Sequence, residues 1–597
     1  MNVFRVVSAA SALCLISGNG TVLSAQPPRA TIAGVVQDLS GTPQPTVTVV
    51  LSSTGSDVER RAVTDADGAF IFGGLPPGTY QARIEEPKFE RYLSEPVTVQ
   101  SAERTTLAIA LTPIASLIPA PAEPAAGVPD YFPSPNRWGI DRNRWDPYNR
   151  NVLKGDFPVI GQDLFVVMTG VANTPFEYRR EPLQVSLVPE ALVSFEVFKG
   201  DTSFKPRSWA LKITPGFSIS YATNGEPRVV DATPRAGVDR NSTHITLQEA
   251  FVEKKLADVG ATYDFMSLRV GIQPFTSDFR GFLYRDVNAG VRIFGNWARN
   301  RNQWNIALFD QLDKDRASGL NRFARRGQQV IVANYFRQDF LTPGYTISPS
   351  FHANIHAGQS TAYYAGVGGD GHWGRLNVTH QFYQAWGRQD TTNLSPTMAV
   401  LSKRVAINAQ FVASEASIDR DWWRFKATVL YATGDSQPDA GHARGFDAIF
   451  ENPNLAGGLF SLWNREAILL AGTGRRLIAR NSMLPSLRVG ASQNFVNPGL
   501  IALGAGWDGD VTVKLSASLN VNVLRFVHSE PLAAVVQRET GPTIGVDSSV
   551  GVRYRPFLNE HVIATVGVSL LTPSADFKAL VASRRLVSPF AVLTLRY

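Results

Sequence analysis

Two glycine-rich stretches have the spacing of a dinucleotide-binding turn: Gly366-Val367-Gly368-Gly369-Asp370-Gly371 and Gly504-Ala505-Gly506-Trp507-Asp508-Gly509. Such a turn works when it follows a strand and opens a helix whose first amides hold a pyrophosphate. Here strand-like sequence follows each, at Arg375–Tyr383 and Val511–Val523, and the aspartate would repel phosphate. Both are expected to be plain glycine turns. His352 and His356 are four apart, a ligand spacing on a helix; on a strand they share a face but sit well apart. Glu249, Glu253 and Asp264 are spread along and after one strand-like run, which does not make a carboxylate pair. Asp65-Ala66-Asp67-Gly68 runs straight into a strand and lacks the distal glutamate of a calcium loop, so it reads as a turn. Gly-x-Ser-x-Gly, His-Glu-x-x-His and P-loop patterns are missing. The sequence therefore predicts no catalytic, metal or cofactor site, and neither an enzyme nor a nucleic-acid binder.

What remains is charge on alternating strands. Thr512, Lys514, Ser516, Ser518, Asn520 and Asn522 alternate with Val511, Val513, Leu515, Ala517, Leu519, Val521 and Val523. Arg424, Lys426 and Thr428 alternate with Trp423, Phe425, Ala427, Val429 and Tyr431. Gly545, Asp547, Ser549, Gly551, Arg553 and Arg555 alternate with Ile544, Val546, Ser548, Val550, Val552 and Tyr554. Val562–Leu570 alternates in the same way, and Val405, Ile407, Ala409, Phe411 and Ala413 alternate with Ala406, Asn408, Gln410 and Val412. Each run is about twice a soluble strand and matches the roughly 9 to 11 residues of a tilted membrane strand. The polar faces suit a wet lumen and the apolar faces suit lipid. Candidate lumen-facing residues are Lys514, Arg553, Arg555, Lys426, Arg424, Arg488, Asn520, Asn522 and Arg596. Trp297, Trp304, Tyr335, Tyr363, Trp373, Trp386 and Trp422 fit interfacial girdles.

The elements that must position these residues follow in chain order. Arg5 and the apolar run Val6–Ile16 read as a secretory signal, with cleavage expected near Ala25. The only cysteine, Cys14, lies inside it, so disulfides and thiol chemistry are excluded from the mature chain. Residues 29–113 read as a small β-sandwich of seven short alternating runs. Residues 114–160 combine a Pro-rich spacer with a segment rich in Arg and aromatics, either packed locally as an interfacial loop or docked on the barrel mouth. From 161 to 597 the long alternation persists; at roughly 25 residues or slightly more per strand with its connection it allows about 16 to 18 strands. The fold class is all-β: a transmembrane antiparallel β-barrel preceded by a small sandwich. The chain ends in strand form, with Ala591, Leu593, Leu595 and Tyr597 expected toward lipid, Val592, Thr594 and Arg596 toward the lumen, and Leu164–Val171 as partner.

Three resemblances add to this reading. Thr64–Tyr80, with its Asp-Gly turn, Phe-x-Phe and Leu-Pro-Pro-Gly-x-Tyr, resembles the carboxypeptidase regulatory-like domain, which implies a non-catalytic spacing or binding module. The ending resembles the C-terminal signature of outer-membrane β-barrels, which implies recognition by the barrel-assembly machinery. Leu430–Ser436 with Gly445–Phe450 is similar to a strand end and loop of alginate-export porins, and Glu249–Phe251 with Leu268–Phe275 is similar to the paired early strands of general and phosphate-type porins. The expected location is the outer membrane, with the N-terminal domain in the periplasm and lipid and lipopolysaccharide around the barrel.

Ten acids and seven bases lie between Arg29 and Pro113 against a net +7 for the whole chain, so positive charge concentrates downstream. Much of it is arginine in expected loops: Arg299, Arg301, Arg316, Arg322, Arg325, Arg326, Arg475, Arg476, Arg480, Arg584 and Arg585. A basic pore favours anions; the same charge could also be solvated or face lipopolysaccharide. The expectation is a porin-like passive channel for small, anionic or acidic-saccharide solutes. The alternatives are a TonB-dependent-type receptor and a non-transporting surface binder.

Overall fold

In the computed structural model the described residues are 30–112 and 152–597, less 39–40, 55, 87–88, 102, 162, 181–182, 201–205, 225–238, 261, 316–317, 391–403, 439, 452, 466–467, 470–475, 479–492, 537 and 582–584. The expected signal segment, the Pro-rich spacer, Arg316, Arg475, Arg480, Arg488 and Arg584 lie outside them. The chain divides into two units, Met1–Tyr131 and Phe132–Tyr597.

In the first unit Ala30–Asp38 pairs with Ala69–Leu75 on one side and Arg104–Leu111 on the other. A second sheet carries Ser56–Val63, Thr48–Ser53, Gly78–Ile84 and the short Tyr92–Leu93 and Val97–Val99. All seven expected runs are strands. Inward residues at period two, among them Ile32, Val49, Phe70, Phe72, Ala82 and Ile109, form one core. The Asp65 carboxylate accepts the amides of Asp67 and Ala69 at 3.0 and 2.8 Å, which closes the turn.

In the second unit eighteen antiparallel strands close into a barrel, with Leu183–Leu187 and Glu190–Lys199 as one broken strand. Closure joins Phe590–Arg596 to Glu177–Val171. The first strand runs from Leu164 to Arg180, longer than expected, and its Val171–Glu177 half, not its beginning, meets the last strand. Below that, Met168 donates its amide to the Leu153 carbonyl at 2.8 Å, and Lys154 sits over the Tyr597 ring at 4.0 Å. Of the segment before the barrel, Leu153 and Lys154 thus touch the seam, while 114–151 lie outside the described residues.

Both barrel termini lie at one end, where tight turns such as those at 374–375, 421–422 and 513–514 connect strands. The longest connection, 433–499, joins Ala432 to Leu500 at the other end. Exposed apolar residues such as Val291, Leu308, Val429, Val521 and Val566 form the outer face. Aromatic pairs bound it: Trp297 with Tyr335 and Tyr345 with Trp373 toward the terminal end, Tyr363 with Trp386 toward the other.

Four expectations need correction. Both glycine-rich stretches lie inside strands, Ser360–Trp373 and Leu500–Thr512. Their glycines make room for neighbours: a Cβ on Gly366 would strike the Tyr383 ring and one on Gly504 the Asn522 amide. Val511–Val523 is not one strand but the end of Leu500–Thr512, a turn, and Leu515–Arg525. Val405, Ile407, Ala409, Phe411 and Ala413 are buried inside the barrel, while Asn408 and Gln410 face out. Ile544 is buried too, because the ladder shifts register between Leu524 and Arg525. Arg322, Arg325 and Arg326 belong to the strand Asn321–Arg337 rather than to a loop.

Candidate functional site: a charged lumen beneath inward segments

The lumen is not an open tube. Residues 278–284, 443–463 and 493–497 enter it and form one core with the wall, in which Phe282, Tyr284, Phe446, Phe450, Trp463 and Phe495 meet Phe309, Val332, Tyr364, Tyr383 and Phe411. This is why Val405–Ala413 turns its apolar face inward: the apolar neighbour is inside. Backbone bonds join the segments, from Ile449 to the Leu283 carbonyl (3.1 Å) and from Arg285 to the Phe450 carbonyl (2.8 Å). Asp278 orders the first segment by accepting the amides of Gly281, Phe282 and Leu283 and the Tyr383 hydroxyl, at 2.6 to 3.1 Å. Gln493 ties the returning limb to the wall: it donates to Tyr364 Oη (2.6 Å), accepts from Asn354 (2.5 Å) and receives Gln389 at its carbonyl (2.7 Å). Buried polar groups need such partners in a dry interface.

A cavity of about 590 Å³ opens beneath these segments toward the terminal end. Arg280, Arg424, Lys426 and Arg553 line it, as do Glu415, Asp419, Asp421, Asp508 and Asp510. Most of the cations are matched. Arg424 holds Asp419 (2.5 Å), Lys426 holds Asp508 (2.6 Å), and Arg280 reaches Glu415 (3.4 Å) and Thr379 (2.9 Å). Arg553 makes no ion pair among the described residues. A second cavity, about 720 Å³, lies at the same end against early strands and repeats the arrangement. There Arg207 pairs with Glu196, Lys212 with Glu249 (2.7 Å) and Arg269 with Glu253 (2.5 Å). Arg292, beside it on the inner wall, donates to Asn305 at 2.8 Å. The two glutamates flanking Ala250-Phe251-Val252 therefore each hold a base from a neighbouring strand.

The other candidates are placed as follows. Asn520 and Asn522 are inward and buried; Asn522 donates to the Ala456 carbonyl at 3.0 Å. Lys514 is in a tight turn, and Arg555 lies past the end of Thr543–Tyr554. Arg555 and Arg596 share Glu560, at 3.8 and 3.3 Å, outside both cavities. A residue-type reading missed Asp278, Arg280 and Gln493, since the wall residues they hold, Tyr383, Glu415 and Tyr364, lie far away in sequence. The one local signal was the apolar cluster Phe446, Ile449 and Phe450 inside a connection too long for a turn.

At the terminal-end turns, Asp264 is almost fully buried and accepts the amides of Arg299 (3.0 Å) and Asn300 (2.9 Å) and the Thr262 hydroxyl (3.2 Å). These bonds, that from Arg299 foremost, hold its carboxyl below the usual aspartate range.

Residues 31–112 match the carboxypeptidase regulatory-like domain. Comparison with curated proteins gave no match. Solved structures similar to this chain include OccAB1 of Acinetobacter baumannii, with 10% identity over 75% of this chain and 99% of that one and a TM-score of 0.47. They also include OccAB4 of the same organism (11%, 73% and 98%, TM-score 0.42) and the outer membrane protein opdK of Pseudomonas aeruginosa (10%, 72% and 98%, TM-score 0.42).

Proposed function

We propose that the protein is a passive channel of a bacterial outer membrane that carries small polar solutes through a narrowed barrel. The observation that carries this is the closed eighteen-strand wall, apolar outside between two aromatic girdles and lined inside by matched charges around two cavities. Barrels of this size leave an aqueous channel, whereas the plugged transporters have 22 strands. Short turns face the periplasm and long connections the exterior, so the cavities face the periplasm and the described inward parts of the longest connection, 443–451, 453–463 and 493–497, enter from outside. The N-terminal module then sits on the periplasmic side, and lipid with lipopolysaccharide surrounds the wall.

Charge selectivity is weak in this reading. Matched acids and bases leave little net field for a passing ion, so any preference for anions or acidic saccharides rests on Arg553 and Arg292. The test is a planar bilayer recording in a salt gradient. Steady ohmic current with a reversal potential slightly toward anions is expected, and Arg553→Gln should move it toward zero. A barrel that inserts but passes no current would overturn the channel.

A further inference from the structure

The inward segment 453–465 is compact. Trp463 Nε1 donates to the Ala456 carbonyl (3.3 Å), and Asn464 donates to the Pro453 carbonyl (2.8 Å). It touches the last strands of the wall at three places. Asn522 holds the Ala456 carbonyl, and the Asp547 carboxylate accepts the amides of Leu462 and Trp463 at 3.2 and 3.3 Å. The third contact is steric. The Phe460 ring lies over Gly551 and Gly567, next to Phe590 at 5.9 Å between centroids.

These two glycines are cross-strand partners, and each sits where the alternation demands an inward side chain. A Cβ on Gly551 would come within 2.0 Å of the Phe460 ring, and one on Gly567 would come within 2.6 Å of the Phe590 ring and 3.0 Å of Phe460. The wall thus has a shallow socket of the ring's width. Glycine within a strand weakens it and marks a close approach, which here is an aromatic ring from another element. Leu455 to Gly458 and Phe460 also line the cavity of about 590 Å³. Whatever holds Phe460 therefore holds the upper wall of that cavity.

We infer that Phe460, seated in the Gly551–Gly567 socket, is the positioning residue that sets the size limit of the channel. It contacts no solute chemistry of its own. It fixes how far 453–465 reaches across the lumen, while Asp547 and Asn522 fix the orientation. The inference rests on the channel reading and adds to it the element that determines how large a solute passes.

The test is single-channel conductance of the full-length protein, with polyethylene glycols of graded size to measure the cut-off. Phe460→Ala should raise both conductance and cut-off by about twofold or more, since pore dimensions dominate passive flow. Gly551→Val should do the same by ejecting the ring, and the double variant should go no further than either single one. Phe460→Leu, which still fills the socket, should stay near the native values. Residues 161–597 contain no cysteine, so a Phe460→Cys/Gly551→Cys pair can lock the segment; oxidation should restore native conductance and reduction should release it. Each variant is first checked for the heat-dependent gel shift of a folded barrel. Unchanged conductance and cut-off in a folded Phe460→Ala protein, or a double variant that exceeds both singles, would overturn the inference. No current from the native protein would instead overturn the channel reading itself.

Discussion

Two strand pairs of the same wall differ in which side takes their apolar residues. In Leu515–Arg525 and Thr543–Tyr554 the apolar set is outside: Leu519, Val521, Val523 and Val550 are exposed, while Asn520, Asn522, Asp547 and Ser549 are buried. Where Leu376–Asp390 and Arg404–Arg420 pass the inward segments, apolar residues turn inside: Tyr383, Ala385, Ile407, Ala409 and Phe411 are buried, although Phe382, Trp386, Val412 and Ile418 of the same strands remain exposed. The amides of Gln384, Asn408 and Gln410 lie outside and bond one another at 2.9 and 3.0 Å. A strand's alternation shows that its two sides have different neighbours; it does not show which neighbour is lipid. The first pair faces polar and backbone groups of the inward segment. The second faces Phe446 and Phe282, so its apolar side goes where contact with them is offered. Its outer amides sit level with Trp386, paired in register with Asn408, at the aromatic boundary where water is available.

The largest effect that sharpens this contrast is in the core. Phe411 stacks on Phe446 at 5.1 Å between centroids and is 2% exposed. Phe411→Ala should cost about 3 to 5 kcal/mol in urea unfolding from lipid vesicles, the price of a large cavity. Val521→Ala on the outward face removes two methyl groups that lipid can replace, and should cost about 1 to 2 kcal/mol. Equal losses at the two sites would mean that Phe411 is not packed inside.

A middle effect concerns amides on the two sides. Asn522→Leu removes the donor to the Ala456 carbonyl inside the barrel and should cost about 1 to 3 kcal/mol. Asn408→Leu on the outer face should change stability by no more than about 0.5 kcal/mol. The sides can also be read directly. A fluorophore on Gln410→Cys should be quenched by a quencher near the lipid headgroups, and one on Val521→Cys by a quencher at mid-depth. Quenching of the Gln410 label only by a water-soluble reagent entering the lumen would reverse the assignment.

Period two was legible wherever the strand lies between unlike neighbours, which covers the sandwich and most of the wall. It failed at Val511–Val523 for a local reason. The turn there, Val513-Lys514, carries no Gly, Pro, Asn or Asp, and it preserves the alternation across two strands. The candidate site was only half legible. Arg424, Lys426 and Arg553 come together at one cavity, yet the acids that match the first two, Asp419 and Asp508, both come from neighbouring strands, so a count of arginines overstated the positive field. The inward segments depend on contacts such as Arg280 with Glu415 and Gln493 with Tyr364, which no local pattern encodes.

The smallest effect lies away from both pairs, in a turn where charge rather than packing fixes the wall. Ala298, Arg299 and Asn300 all have positive φ, at 56°, 59° and 63°, a conformation that asparagine tolerates but that is unfavourable for alanine and arginine. The Asp264 carboxylate offsets that strain by accepting two of their amides. Its folded-state pKa lies below the unfolded one. Its contribution to stability is therefore fully present above the ordinary aspartate range and is lost as pH falls through the folded value. Native protein should show a fall in its urea midpoint over that acidic window. Asp264→Asn keeps one acceptor oxygen but no charge, so it should start slightly lower and show a shallower fall. An identical pH profile in the variant would mean that the amides, not the ionised carboxylate, hold the turn. Asn408→Leu leaves Asp264 in place and removes only an amide-to-amide contact, so its midpoint should fall in parallel with that of the native protein, with a difference that does not vary with pH.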